Sequence, residues 1–110
     1  MTATSPATPP SISDSLNRLW AKFLPETQRR IALLTAASVS YASGTLTDSQ
    51  RVEAHQAAHK LAGVLGTFGL PHGTELARRI ENEFAAEVVV SAADLAKWID
   101  ELQVLVDRRS

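Results

Sequence analysis

Apolar side chains return every three or four positions along most of this chain, and this spacing indicates helices that pack by one face. Pro25 and Pro71 suit the first turn of a helix, whereas Gly44 and Gly69 suit the residue just beyond a helix end. The run 47–50, Thr-Asp-Ser-Gln, matches a capping box, which marks the start of a helix. Together these signals predict helices over about 12–23, 25–43, 47–68, 71–84 and 91–106.

The last four of these helices have about 15 to 20 residues and short connections, which predicts an all-α, antiparallel up-down four-helix bundle. The short first helix would be an accessory element that covers one end of the bundle. Residues 1–11 are rich in proline and threonine and predict a disordered tail or linker, which leaves 12–110 as the bundle domain. The three valines at 88–90 are strand-like but too few for a strand, and predict a buried connector. The residues predicted to face inward are Ile31, Leu34, Ala37 and Tyr41, then Ala54, Ala58, Leu61, Leu65 and Phe68, then Leu76, Ala77, Ile80 and Phe84, then Leu95, Ile99, Leu102 and Leu105 or Val106.

The composition narrows the classes of function. Apolar residues make up 45% of the chain and the formal net charge is −1, so the basic excess typical of a nucleic-acid-binding protein is missing. The chain has no cysteine, which excludes a thiolate metal site and fits a cytoplasmic location. No apolar run reaches the ~18 residues of a membrane span, and no secretory signal is expected at the N-terminus. The sequence also lacks a GxxxxGK(S/T) phosphate loop, a paired acidic cluster for magnesium and a GxSxG elbow.

One histidine of the third predicted helix lies on the side away from the core. On a helical wheel, His59 is roughly 90° or more from the centre of the apolar seam. Gly63 and Gly66 follow on the same side, although an exposed glycine costs a helix about 1 kcal/mol relative to alanine. This pattern indicates that another molecule must come close to His59. An exposed imidazole that is mostly neutral near pH 7 can attack phosphorus, so the pattern is typical of a histidine that carries a phosphoryl group between two other proteins.

Plainer interpretations of the same residues stay open at this point. A lone histidine on a helix surface can simply be solvated, and the glycines can serve close packing of helices. His55 and His59 are four residues apart and could bind a metal ion. Gln56 follows His55, so the HExxH pattern of zinc enzymes is absent, and no metal site is expected.

The run from His59 to Gly63, His-Lys-Leu-Ala-Gly, resembles the H-x-L-K-G core of histidine-containing phosphotransfer domains. Gly66 and Gly69 continue that family's pattern. The longer reading H-K-L-A-G-x-L-G-T-F-G resembles the version found inside larger bacterial signalling proteins, including those joined to receiver or diguanylate cyclase domains. The ungapped resemblance runs from about Glu53 to Glu81.

This resemblance implies a four-helix bundle with an accessory N-terminal helix, acting without a cofactor. His59 would accept a phosphoryl group on Nε2 from a receiver-domain aspartate or from a kinase, and would pass it to another aspartate. Gly63 would be the small residue that admits the partner. Glu81 falls where many members carry a glutamine that bonds the histidine ring, and it would orient that ring. The partners implied are response-regulator receiver domains and a hybrid histidine kinase, with the domain acting as a monomer or as part of a larger multidomain protein.

The sequence departs from the family pattern at two positions. Ala62 stands where the family usually has a lysine, and Val64 stands where serine or alanine is usual. Lys60 lies in the wrong sector of the helix to replace that lysine, whereas Arg78 on the next helix could supply the positive charge.

A partner-docking face around the histidine is also predicted. Its candidate residues are Val52, His55, Gln56, Ala62 and Val64. The alternative hypothesis is a non-catalytic helical domain that binds a receiver domain without efficient transfer.

Overall fold

The computed structural model of the chain describes residues 12–85 and 91–109. This part forms four α-helices, α1 (Ile12–Ala42), α2 (Asp48–Thr67), α3 (Pro71–Ala85) and α4 (Ala92–Arg109). Each helix packs on the one that follows it, and α4 packs back on α1, which closes a ring. Short connections make consecutive helices antiparallel. The described residues contain no strand, and the predicted all-α bundle is confirmed.

The first helix differs from the prediction, because α1 runs through Pro25 without a break. It has 31 residues, where a short helix and a separate second helix were expected. A proline inside a helix leaves the carbonyl four residues earlier without its N–H partner, but the backbone angle of proline is already helical. Trp20, Thr27 and Ile31 are buried on either side of Pro25, so packing holds both segments in one line. The accessory helix is therefore the N-terminal part of α1.

The N-terminal part of α1 closes one end of the bundle, as expected for the accessory element. Trp20 is 3% exposed and meets Phe68 edge to face, with the ring centroids 5.2 Å apart. Phe23 packs on Phe68 at 6.1 Å, and the guanidinium of Arg109 lies 5.4 Å from the centre of the Trp20 ring. This cluster covers the place where α2 and α4 end.

The predicted helix boundaries at α2 and α4 are confirmed by their capping contacts. The Thr47 hydroxyl accepts a hydrogen bond from the Gln50 N–H at 3.0 Å, and the Gln50 side chain accepts one from the Thr47 N–H at 3.2 Å. Gly44 and Gly69 have φ angles of +72° and +74°, which residues other than glycine rarely adopt. The Ser91 hydroxyl caps α4 by accepting the N–H three residues later.

The tail predicted over 1–11 and the connector predicted at 88–90 both lie outside the described residues, so they stay predictions.

The residues predicted to face inward form the core. Tyr41 is only partly buried, and of the two alternatives near the end of α4, Val106 is fully buried whereas Leu105 is partly exposed. The most extensive of the four interfaces joins α2 and α3. The predicted residues that are buried are Ile31, Leu34, Ala37, Ala54, Ala58, Leu61, Leu65, Phe68, Leu76, Ala77, Ile80, Phe84, Leu95, Ile99, Leu102 and Val106.

One polar group in the core lacks a partner. The hydroxyl of Thr27 is fully buried and makes no hydrogen bond within the described part of the chain. In the unfolded chain the same hydroxyl is hydrated, so folding costs the free energy of removing it from water.

We expect Thr27→Val to raise the free energy of unfolding by about 1 kcal/mol, because valine keeps the shape and removes the unpaired hydroxyl. Urea unfolding followed by circular dichroism measures the change. Thr35→Val is the matched control, since the Thr35 hydroxyl is already satisfied by the Ile31 carbonyl at 3.1 Å. A Thr27→Val protein no more stable than wild type would contradict this account.

Candidate functional site

His59 lies near the middle of α2 on its solvent side, as predicted. Its side chain is 72% exposed, while its neighbours Ala58 and Leu61 are fully buried. The ring is therefore carried by a well-packed helix but is itself open to approach.

A carboxylate on the adjacent helix holds the His59 ring. Glu81 on α3 places Oε2 at 2.8 Å from His59 Nδ1, and the Glu81 side chain is only 18% exposed. An ionised carboxylate can only accept hydrogen bonds, so Nδ1 is the protonated nitrogen and donates to Glu81. In that tautomer Nε2 carries the lone pair, and it makes no hydrogen bond to any described residue. The structure thus brings together the two residues that the resemblance pairs.

The structure gives different explanations for the two glycines on this side of α2. A Cβ added at Gly63 would meet no atom within 4 Å, and its backbone is ordinary helix, so nothing in the described structure requires glycine there. A Cβ added at Gly66 would lie 3.3 Å from the Thr74 hydroxyl on α3, which is a tight contact. Both glycines are exposed, as their side of the wheel predicts, but Gly66 also lies against α3. Close packing of helices therefore accounts for Gly66 and does not account for Gly63, one turn beyond His59.

Comparison with known proteins now identifies the family. The model of the Hpt domain matches residues 18–108, which is most of the chain. The chain belongs to the Hpt domain family. It is accordingly a histidine phosphotransfer module of two-component signalling, whose class of partner is the receiver domain of response regulators.

A similar curated protein is Protein RcaC of Microchaete diplosiphon. It is 35% identical over 66 residues, which are 60% of this chain and 10% of that protein. The match therefore spans about a tenth of the length of RcaC. No solved structure gives a significant match.

Arg78 of the Hpt domain lies beside the histidine, as predicted. An open cavity is lined by His59, Gly63, Arg78 and Glu81, together with Ala62 and Asn82. Arg78 forms no ion pair with any described residue, whereas its neighbour Arg79 pairs with Glu75 at 2.6 Å. The cavity is thus lined by a histidine with an exposed ring and by an arginine that has no ion pair among the described residues.

Lys60 lies on the other flank of the histidine. It lines a second cavity with His55, Gln56, His59 and Glu81.

On that flank Lys60 acts on Glu26 of α1. The pKa of the Glu26 carboxyl is lowered, chiefly by the hydrogen bond from Arg29, and Lys60 adds a weaker Coulombic contribution. Lys60 therefore lies close enough to α1 to act on a carboxylate there, in agreement with its predicted sector.

The predicted docking residues differ in how far they are exposed. Val52 is 51% exposed, Gln56 is exposed, and Val64 is partly buried. Ala62 is only 7% exposed, so it offers little surface to a partner. The reason is that α3 covers it, with the Thr74 hydroxyl donating to the Ala62 carbonyl at 3.0 Å.

The remaining predicted residue, His55, contacts the site itself. Its side chain is 38% exposed, and its Nε2 lies 3.6 Å from the same Glu81 oxygen that binds His59. Sequence reasoning placed His55 on the outer side of α2 but gave it no contact with Glu81.

Sequence reasoning missed Asn82, which lines the cavity beside His59. A signal was available, because residues 78, 81 and 82 are spaced i, i+3 and i+4 on α3 and share one face.

Neither a membrane-spanning helix nor a metal-binding cluster is found among the described residues. None of the helices there combines the length and the hydropathy needed to span a bilayer. No group of three or more His, Cys, Asp or Glu side chains within 12–85 and 91–109 is arranged to hold a metal ion.

We expect Gly63→Ala to raise the free energy of unfolding by about 1 kcal/mol, because alanine is the better helix former and the added methyl meets open space. The same methyl should slow phosphoryl transfer by obstructing the partner. Urea unfolding and transfer rates from one phosphorylated receiver domain measure the two effects. Gly66→Ala is the comparison, since its methyl is crowded by Thr74 and should not raise stability. Unchanged transfer by Gly63→Ala would show that the partner does not pass close to this position.

Proposed function

We propose that His59 is the phosphoacceptor of this Hpt domain, and that it carries a phosphoryl group between receiver-domain aspartates or from a histidine kinase to such an aspartate. The observation that carries the proposal is the His59–Glu81 pair. Glu81 Oε2 lies 2.8 Å from His59 Nδ1 and holds the ring proton on that nitrogen. Because the side chain is 72% exposed, the lone pair on Nε2 is both nucleophilic and accessible.

The chemistry that follows from this tautomer needs no change of proton position. The Nε2 lone pair attacks phosphorus of the partner's aspartyl phosphate, the N–P bond forms, and the P–O bond to the aspartate breaks. The electron pair of that bond leaves with the aspartate carboxylate. The His59 ring gains a positive charge, which the Glu81 carboxylate stabilises while the proton stays on Nδ1. Onward transfer is the reverse step, with a neutral imidazole as the leaving group.

We also propose that Arg78 takes the part that the family usually gives to a lysine at position 62. Ala62 carries no charge and is buried, whereas Arg78 lines the cavity beside His59 and has no ion-pair partner among the described residues. A guanidinium can bind two phosphoryl oxygens at once, and it would offset the charge that the phosphoryl group brings.

The docking surface proposed for the receiver is the exposed part of α2 around His59. Val52, His55, Gln56 and Val64 contribute to it, and Gly63 lies one turn beyond His59 on the same side of the helix. The exposed Val52 supports this placement, because exposed apolar side chains beside a reactive group are typical of a transient binding face.

The setting of the domain is a further part of the proposal. It would act in the cytoplasm, as a monomer or within a longer multidomain protein. The absence of cysteine supports a reducing compartment, and the match to a tenth of RcaC supports the second arrangement. The subtype joined to receiver or diguanylate cyclase domains stays a proposal of the same kind.

A docking domain without efficient transfer is the competing function, and the uncharged Ala62 is the observation that favours it. It requires receiver binding without phosphohistidine, so labelling decides between the two.

We expect His59→Gln to abolish labelling by a phosphorylated receiver domain, because glutamine keeps a polar side chain but has no nucleophilic ring nitrogen. The wild-type label should be labile in acid and stable in alkali, as a phosphoramidate is. His72→Gln is the matched control, since this histidine is 58% exposed and lies away from Glu81. Label on His59→Gln would remove His59 from its role, and binding without label in wild type would favour the docking domain.

We expect Arg78→Gln to slow transfer to His59 by about tenfold, which corresponds to the loss of a hydrogen bond between charged groups. Single-turnover transfer from one phosphorylated receiver measures the rate. Arg79→Gln is the control for the general loss of a positive charge from α3, and it should change the rate far less. Equal effects of the two substitutions would contradict a specific contact of Arg78 with the phosphoryl group.

A further inference from the structure

We propose that His55 is a positioning residue that acts on His59 through the shared Glu81 carboxylate. The role in transfer rests on the proposed function of His59, whereas the contacts themselves do not. No covalent step is assigned to His55.

The proposal starts from one oxygen atom that faces two imidazoles. Glu81 Oε2 lies 2.8 Å from His59 Nδ1 and 3.6 Å from His55 Nε2. The first distance is a hydrogen bond, and the second is too long for one but within the range of an ion pair. His55 and His59 are one helical turn apart on α2, so their rings lie on the same face. The Glu81 side chain is 18% exposed, so little water can share its charge.

The effect of His55 depends on its own proton. When His55 is neutral, the charge of Glu81 is directed mainly to the Nδ1–H of His59. When His55 is protonated, it becomes a cation that attracts the carboxylate across the 3.6 Å between them. A carboxylate drawn toward His55 holds His59 less well. The added positive charge also opposes the positive charge that the His59 ring gains when it attacks phosphorus.

The other charged groups around His55 and His59 keep the same charge through the pH range in which imidazoles titrate. On α2, Lys60 lines the same cavity, and Arg51, one turn before His55, pairs with Asp48 at 3.5 Å. On α3, Arg78 lies one turn before Glu81.

On α1, which packs against the other side of α2, Glu26 faces Lys60 and pairs with Arg29 and Arg30. Arginine, lysine and glutamate side chains ordinarily keep their charge between about pH 6 and pH 8, whereas imidazoles titrate there. Within this range, changes in charge at the site come from the two histidines.

The first test needs no phosphoryl transfer. Nitrogen-15 NMR of the histidine rings would follow His59 from about pH 5 to pH 9 in wild type, His55→Gln and His72→Gln. Because a proton on His55 opposes the addition of a proton to His59, the midpoint of the His59 shifts should lie at higher pH in His55→Gln, where the amide does not titrate, than in wild type and His72→Gln. The same midpoint in all three proteins would overturn the proposal.

The second test measures transfer from one phosphorylated receiver domain at pH 8 and pH 6. The ratio of the two rates within each protein is compared, so that a constant change in docking cancels. We expect this ratio to be about threefold larger in wild type and His72→Gln than in His55→Gln, because only a charged His55 opposes the positive charge that His59 gains at pH 6. Equal ratios would overturn the role of His55 in transfer. If no protein accepts phosphate, the proposed function of His59 fails, and the NMR titration still decides whether His55 acts on His59.

Discussion

The hydrogen bond from His59 to Glu81 joins two helices, so it forms only when α2 and α3 pack in one register. The contacts that set this register lie next to the site. The Thr74 hydroxyl donates to the Ala62 carbonyl and fits closely beside Gly66. A slide of α3 by one residue, about 1.5 Å, would break these contacts and take the carboxylate away from the ring. The geometry of the His59 ring is therefore set by the apolar interface beneath it, which is the most extensive in the bundle.

The middle of α2 has two sides with different roles. Its inner side is built from small and apolar residues that let α3 come close, and Ala58 and Ala62 are among them. On its outer side the helix carries an exposed imidazole and, at Gly63, a position that the fold leaves empty. Gly66 lies between these two sides, because its missing side chain makes room for α3 itself. One helix thus provides both the surface that packs on α3 and the exposed surface around His59. Gly66 belongs to the first surface, and Gly63 belongs to the second.

Much of the fold could be predicted from the sequence because its signals are local. The capping box at Thr47 and the left-handed glycines at 44 and 69 depend on neighbours within a few residues, so periodicity and turn chemistry were enough to find them. The continuity of α1 could not be predicted in this way. A proline reads as the start of a helix, and only burial of Trp20 and Ile31 on either side of it keeps the helix intact.

The same distinction holds for the site. The exposure of His59 follows from its place on one helix, and the wheel was enough to predict it. The burial of Ala62, the crowding of Gly66 and the approach of His55 to Glu81 depend on how near α3 comes. That distance is a property of two helices together, which no single-helix pattern contains.

Two weak points of α1 lie close together in the chain, and they divide the molecule into parts of unequal stability. Pro25 interrupts the ladder of backbone hydrogen bonds, and Thr27 leaves a buried hydroxyl without a partner. On the N-terminal side of Pro25, the first turns of α1 are mostly exposed and contact the bundle chiefly through the rings around Trp20. Proteins open in cooperative units, and a unit with few buried contacts opens at the lowest free energy. We therefore expect the segment before Pro25 to open while the helices that carry His59 and Glu81 remain folded, and its amide hydrogens to exchange with solvent earlier than theirs.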